Sequence, residues 1–246
     1  MNNLLKQALI ARLTALADDE LLLAHRNSEW TGHAPILEED IAIANIAQDE
    51  LGHATVFYRL LTDITGDDPD RFVFFRDATD YRNAQLVEYP PGDWAFTMLR
   101  QFLFDAYEQV LLAALSESTY TPLAEATAKI RQEELYHLRH SQLWVKRLGL
   151  GTSESQQRMQ AALIVLWPLH AQLFVPISTD VALQEAGYFP DLVTLHREWN
   201  AIVQPHLTQS ALRIPDDTPL LNAPRTTHSP HLATLLSDLQ QVARLE

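Results

Sequence analysis

The sequence predicts an all-α protein, and three observations support this fold class. Apolar residues recur at intervals of three and four over long stretches, as on the buried face of a helix. Only 7 of the 246 residues are glycine, and they lie mostly at the ends of predicted elements. There is neither an Asn-Gly hairpin signal nor a long alternation of apolar and polar residues that would indicate strands.

Five long helices are predicted from periodicity and from the residues at their ends. The first carries a leucine-rich stripe, and three acidic residues after Leu37 favour the positive N-terminus of the second. Asp93 is a good N-cap for the third, and Thr121 followed by Pro122 suits the start of the fourth. Pro168 predicts a kink in the fifth. Their expected ranges are 2–28, 37–65, 93–117, 121–149 and 153–174.

The order of these helices predicts a particular bundle. Two short helix–helix breaks flank a long connection over residues 66–92, which contains an apolar cluster at residues 72–75 that should be buried. This connectivity is that of a ferritin-like up-down four-helix bundle with one long crossover. We expect a single ferritin-like domain over residues 1–246, with an irregular stretch at 214–229. The extra C-terminal helices are expected at 179–186, 190–204 and 230–244.

The composition excludes several classes of function. With 18 Lys+Arg against 32 Asp+Glu, the formal net charge is −14, so the phosphate backbone of a nucleic acid would repel the chain. The absence of cysteine excludes disulfides, thiolate catalysis and a cysteine-held iron–sulfur cluster, and it fits a cytoplasmic protein. The longest apolar run, residues 161–169, is too short to span a membrane.

Two Glu-x-x-His motifs are the first candidates for chemistry. Glu50 precedes His53, and Glu134 precedes His137, in the second and fourth predicted helices. Residues three apart share a helix face, so each pair can direct a carboxylate and an imidazole at one point. One such motif alone is weak support for a metal site. The alternative interpretation is that its two residues lie on a solvent-exposed helix face and bind no metal.

Spacing adds an acid opposite each motif. In an antiparallel hairpin, residues at one height lie at similar distances from the turn. Glu20 lies 30 residues before Glu50, and Asp105 lies 29 residues before Glu134, with the midpoints at the two predicted breaks. Glu108 is the alternative to Asp105, but its spacing of 26 residues breaks the symmetry, and we therefore prefer Asp105.

The candidate acids lie on apolar stripes, where carboxylates are unexpected. Burying an unpaired carboxylate costs several kcal/mol, so such acids need a cation or a proton. Four acids and two imidazoles around one centre suit two Fe or Mn ions, which take oxygen and nitrogen ligands. The predicted metal ligands are Glu20, Glu50, His53, Asp105, Glu134 and His137.

Three stretches resemble a known family. Glu29-Trp-Thr-Gly-His-Ala-Pro35, Asn45-Ile-Ala-Gln-Asp-Glu-Leu-Gly-His53 and Glu134-Leu-Tyr-His-Leu-Arg139 resemble the ferritin-like subunits of bacterial phenylacetyl-CoA ring epoxidase. The resemblance implies a complex in which one subunit is catalytic and holds a di-iron centre, while a related subunit is structural. The first stretch and the chain length are most similar to the structural branch. That branch typically lacks a complete ligand set, whereas the six residues here each match a ligand position of the catalytic branch.

The resemblance also implies a function and partners. It implies that the chain is part of a multicomponent phenylacetyl-CoA 1,2-epoxidase of aerobic phenylacetate catabolism, which uses O2 and electrons. The implied partners are a sister ferritin-like catalytic protein and a separate reductase. This chain is expected to form either a homodimer or a hetero-oligomer. The alternatives are a metal-free partner needed only for assembly, and a stand-alone di-iron oxidase or metal-binding protein. Eight apolar residues are expected either to bind the sister or to complete the core of the chain itself: Trp94, Phe96, Leu99, Leu103, Tyr107, Leu163, Leu166 and Trp167.

Overall fold

The computed structural model describes residues 1–245, and within this range all regular secondary structure is helical. This confirms the all-α class. None of the helices in the described range combines the length and the apolarity needed to cross a bilayer. The α-helices are α1 (Asn3–Ser28), α2 (Leu37–Thr65), α3 (Pro69–Phe74), α4 (Trp94–Leu115), α5 (Thr121–Gly149), α6 (Ser153–Leu166), α7 (Asp180–Glu185), α8 (Leu192–Gln209) and α9 (His231–Gln240).

The ends of the long helices follow the capping residues. The side chain of Asn2 accepts a hydrogen bond from the backbone of Leu5 at 2.8 Å and caps α1. Asp93 accepts from the backbone of Phe96 at 2.9 Å and caps α4, as predicted. Gly66 ends α2 with a φ of 80°, a left-handed conformation that glycine adopts without strain.

The structure departs from the predicted elements in three places. The fifth predicted helix does not continue through a kink, because α6 ends at Leu166 and a 3₁₀-helix covers Trp167–Phe174. Pro168 has no N–H to donate to the preceding turn, so the chain tightens there. The predicted helix at 190–204 extends to Gln209 as α8, and the crossover at 66–92 contains the short helix α3. Phe75, in the apolar cluster expected to be buried, is exposed.

The chain forms two compact units. The first contains residues 1–90, 176–185 and the segment from 223 onward, and its centre is the helix pair α1–α2. The second contains residues 91–175 and 186–222, and its centre is the pair α4–α5. Each pair is antiparallel, since residues far before the turn contact residues far after it. The single domain over 1–246 stays a prediction.

The second unit buries residues that the sequence analysis assigned to a partner. Of the eight residues named for this surface, all except Phe96 are buried: Trp94, Leu99, Leu103, Tyr107, Leu163, Leu166 and Trp167. The indole of Trp199 on α8 donates a hydrogen bond to the backbone oxygen of Leu103 at 3.0 Å. These residues therefore complete the core and do not form a partner surface, because α6 and α8 cover α4 within the chain itself.

In the first unit, buried charges tie distant segments to α1. The carboxylate of Asp18 accepts hydrogen bonds from the Tyr58 hydroxyl at 2.6 Å and from the guanidinium of Arg76 in the crossover. Asp19 accepts from the backbone of Ala84 at 2.7 Å and pairs with Arg225. Burial raises the pKa of Asp19 above its ordinary value, although Arg225 acts in the opposite direction. These contacts fix the crossover and the C-terminal segment against α1.

We predict that Arg225→Met lowers the free energy of unfolding by about 3–5 kcal/mol, because the Asp19 carboxylate then stays buried without its cation. The double variant Asp19→Asn with Arg225→Met should recover more than half of this loss, since an asparagine oxygen can still accept from Ala84 without a charge. Urea denaturation measures both values. The exposed control Arg197→Met should change the value by less than about 0.5 kcal/mol. Equal losses in the single and double variants would contradict a penalty from buried charge.

Candidate metal centre

The first cluster of candidate ligands lies between α1 and α2. Glu20 comes from α1, and Glu50 and His53 come from adjacent turns of α2. The Nδ1 atom of His53 is 3.7 Å from Oε2 of Glu20 and 3.6 Å from Oε2 of Glu50. All three side chains are buried. The structure therefore brings together the three residues that the sequence placed on the first hairpin.

The two carboxylates set the charge of this imidazole. Burial by itself lowers the pKa of His53, but its interactions with Glu20 and Glu50 outweigh burial and raise the pKa to about 12. In the absence of metal, His53 is therefore an imidazolium that offsets part of the acidic charge. A divalent cation at this cluster would take the place of that proton, because a histidine ligand binds metal in its neutral form.

The second cluster lies between α4 and α5. Carboxylate oxygens of Asp105, Glu108 and Glu134 all lie within 4.8 Å of one another. Nδ1 of His137 is 2.7 Å from Oε1 of Glu134. The four side chains are buried, with an exposed fraction of at most 2%. The cluster contains the three residues predicted for the second hairpin and also Glu108.

Both candidate acids of α4 face this cluster. Oδ1 of Asp105 accepts a hydrogen bond from Nε2 of Gln101 at 2.6 Å, and Oδ2 accepts from Oγ of Ser141 at 2.6 Å. These donors fix the orientation of the Asp105 carboxylate. A carboxylate oxygen has two lone pairs, so an oxygen that accepts a hydrogen bond can also bind a cation. Glu108 is one turn later on the same face.

Neither donor was predicted from the sequence, and Asp105 was preferred to Glu108. Gln101 lies four residues before Asp105, and Ser141 lies four residues after His137, so helical spacing places each on the face that carries the acids. Spacing could therefore have suggested both residues. Glu108 was discounted for its broken hairpin symmetry, although its position three residues after Asp105 puts it on that same face.

Oxygen and nitrogen donors make up both clusters. Buried carboxylates grouped at this density need positive charge nearby, because the low dielectric strengthens their repulsion. Iron and manganese accept such carboxylate and imidazole ligands, and the available residues therefore fit these ions. A buried cluster of this kind can bind a divalent cation and shield it from water.

Comparison with known proteins gives related sequences and a related fold. A model of the family described as phenylacetic acid catabolic protein matches residues 1–246. The chain is 38% identical over 239 residues to the C-type subunit of 1,2-phenylacetyl-CoA epoxidase from Escherichia coli K12, with 96% of each chain covered. It is 25% identical over 171 residues to the A-type subunit from the same organism, covering 70% of this chain and 55% of that relative.

A solved structure supports the predicted bundle. The chain superposes with a TM-score of 0.58 on protein 19 with aldehyde deformylating oxidase activity from Synechococcus. The identity is 13%, and the match covers 86% of this chain and 93% of that one. At this identity the likeness shows the fold alone, and it supports the ferritin-like class.

The electrostatics of the first cluster predict an unusual pH dependence. The folded-state pKa of His53 lies above the ordinary value of 6.5. Its protonation therefore stabilises the metal-free fold fully below pH 6.5, and this contribution is lost as the pH rises toward 12. Imidazole NMR of chelator-treated protein should show His53 protonated at neutral pH, and Glu20→Gln should lower its pKa. A His53 that titrates near 6.5 in the folded wild type would contradict this.

Proposed function

This chain belongs to the phenylacetic acid catabolic protein family, and we propose that it is part of a multicomponent phenylacetyl-CoA 1,2-epoxidase in aerobic phenylacetate catabolism. The observation that carries the proposal is the 38% identity to the C-type epoxidase subunit over 96% of both chains. The proposed partners are a sister ferritin-like subunit and a separate reductase, in the cytoplasm. The absence of cysteine from this chain is consistent with an electron donor that carries its own cofactor.

We further propose that the buried clusters bind iron or manganese. Their oxygen and nitrogen donors, their burial and their matched positions in the two hairpins support this. The proposed ligands are Glu20, Glu50 and His53 in one cluster and Asp105, Glu134 and His137 in the other, with Glu108 as a further carboxylate beside Asp105. The spacing of the sequence predicts that the clusters form one carboxylate-bridged dimetal centre, and this stays a prediction.

The reaction defines what the protein must supply. Epoxidation places one atom of O2 on the ring and releases the other as water, and it consumes two electrons and two protons from outside the substrate. Bound iron would supply the oxygen-activating chemistry. The contribution of this chain is to hold the ligands in place and to exclude water. Gln101 and Ser141 hold the Asp105 side chain in place, because each donates a hydrogen bond to one of its carboxylate oxygens.

A structural role is the second candidate function. The identity to the C-type relative is higher, and covers more of both proteins, than the identity to the A-type relative. The resemblance of the sequence to the structural branch points the same way. In this case the chain supports its sister through assembly, and the buried acids are satisfied by protons and hydrogen bonds. Metal content distinguishes the two candidates.

The test is purification of the chain with and without its sister, followed by metal analysis. We expect the two proteins to co-purify and this chain to retain close to two ions of iron or manganese. Co-purification without metal would support the purely structural role. A chain that fails to bind the sister, and that oxidises phenylacetyl-CoA alone when given a reductase, would contradict the proposal that it works as part of a complex.

Variants of the clusters sharpen this test. Glu50→Ala and Glu134→Ala should each lower the bound metal to less than half, because each removes a ligand carboxylate. The chelator-treated Glu134→Ala variant should be at least as stable as the wild type, since its buried repulsion with Asp105 and Glu108 has been removed. Glu198→Ala, an exposed change on α8, is the matched control and should retain its metal. Unchanged metal content in both cluster variants would contradict the ligand assignment.

A further inference from the structure

The outward face of α5 differs from an ordinary solvated helix surface. Glu134 and His137 point inward, and the opposite side of the helix carries exposed apolar residues. Leu135, Tyr136 and Leu143 are 55%, 52% and 64% exposed. With the basic residues between them they form what we call the α5 outer face: Lys129, Arg131, Leu135, Tyr136, Arg139, Leu143, Lys146 and Arg147.

This face is basic in an acidic protein. Residues 129–150 contain five Lys and Arg, all exposed, against one exposed acid, Glu133, because Glu134 is buried. The whole chain has the opposite balance, with 18 basic and 32 acidic residues. A local excess of positive charge attracts an acidic partner and raises its rate of association.

Two side chains of the face are already held in position. The guanidinium carbon of Arg147 lies 4.8 Å from the centre of the Trp144 ring. The ring of Tyr136 stacks on that of His140, with 6.0 Å between centroids and 25° between planes. Arginine and tyrosine are enriched at protein interfaces, and side chains ordered in advance lose less entropy on binding.

The size of the face indicates a transient contact. At 1.5 Å per residue, residues 129–150 span about 32 Å, and a helix is about 10 Å wide. A strip of this size falls short of the roughly 2,000 Å² or more that obligate subunits bury, and it suits the small interfaces of electron-transfer encounters. The same helix carries Glu134 and His137 on its other side, about one helix diameter away.

We propose that the α5 outer face is the docking surface for an acidic electron-donor protein, namely the reductase component of the epoxidase complex. The inference rests on the proposed function, which requires an external donor. The charge of the face selects an acidic partner, its size selects a transient one, and its position on a ligand-bearing helix suits electron delivery.

The test compares two charge-reversal variants of equal net charge. Arg139→Glu with Lys146→Glu alters the face, whereas Arg59→Glu with Arg197→Glu alters exposed arginines on α2 and α8. Both variants change four units of charge, from −14 to −18. Titration with the purified reductase component at about 50 mM and about 200 mM salt gives the dissociation constants. Sister co-purification and metal content are measured on the same preparations.

We expect the face variant to weaken reductase binding about tenfold or more, while the control stays within about twofold of wild type. Wild-type binding should also weaken with salt, and the face variant should still co-purify with the sister. If reversal impairs folding, Arg139→Gln with Lys146→Gln should give a smaller loss in the same direction.

Three results would overturn the inference. They are reductase binding unaffected by either face variant, equal losses in the face and control variants, and loss of the sister or of a homodimer instead of the reductase. A wild-type chain that does not assemble with the sister would instead contradict the proposed function. The two failures are therefore distinguishable.

Discussion

Three consecutive acids of α1 are buried, and the first unit is organised around their charge. Each buried carboxylate costs several kcal/mol unless positive charge or hydrogen bonds compensate it. Asp18 is compensated by Arg76, and Asp19 by Arg225. These arginines come from the crossover and from the C-terminal segment, so compensation of charge also fixes the path of the chain. The third acid, Glu20, faces the imidazole of His53 on α2.

In the second unit, the buried acid Asp105 has neutral hydrogen-bond partners. Gln101 and Ser141 are neutral donors, so they orient Asp105 without cancelling its charge. Glu108 and Glu134 lie within the same cluster. An acid that is held by neutral donors keeps its negative charge and can bind a cation. The arginine-paired acids Asp18 and Asp19 of α1 instead stabilise the fold. The neutral donors therefore distinguish Asp105 from Asp18 and Asp19, whose partners are arginines.

Much of this could be predicted from local pattern. Periodicity and caps such as Asp93 gave the long helices, because these signals act within a few residues. The Glu-x-x-His pairs were visible for the same reason. The roles of Asp18 and Asp19 could not be predicted from the sequence, since their arginine partners lie 58 and 206 residues away along the chain. The alternative that the buried apolar residues of α4 bind a partner was wrong, because helices later in the chain cover them. Asp105 and Glu108 were treated as alternatives, whereas the side chains of both lie in the same cluster.

The central claim is that the two buried clusters hold metal. Anomalous diffraction at the iron and manganese edges, from crystals of the chain bound to its sister, tests this most directly. The account predicts one anomalous peak bonded to Glu20, Glu50 and His53 and another bonded to Glu134 and His137, with Asp105 or Glu108 completing the second. Full occupancy by the sister alone, with no peak at either cluster of this chain, would contradict the claim.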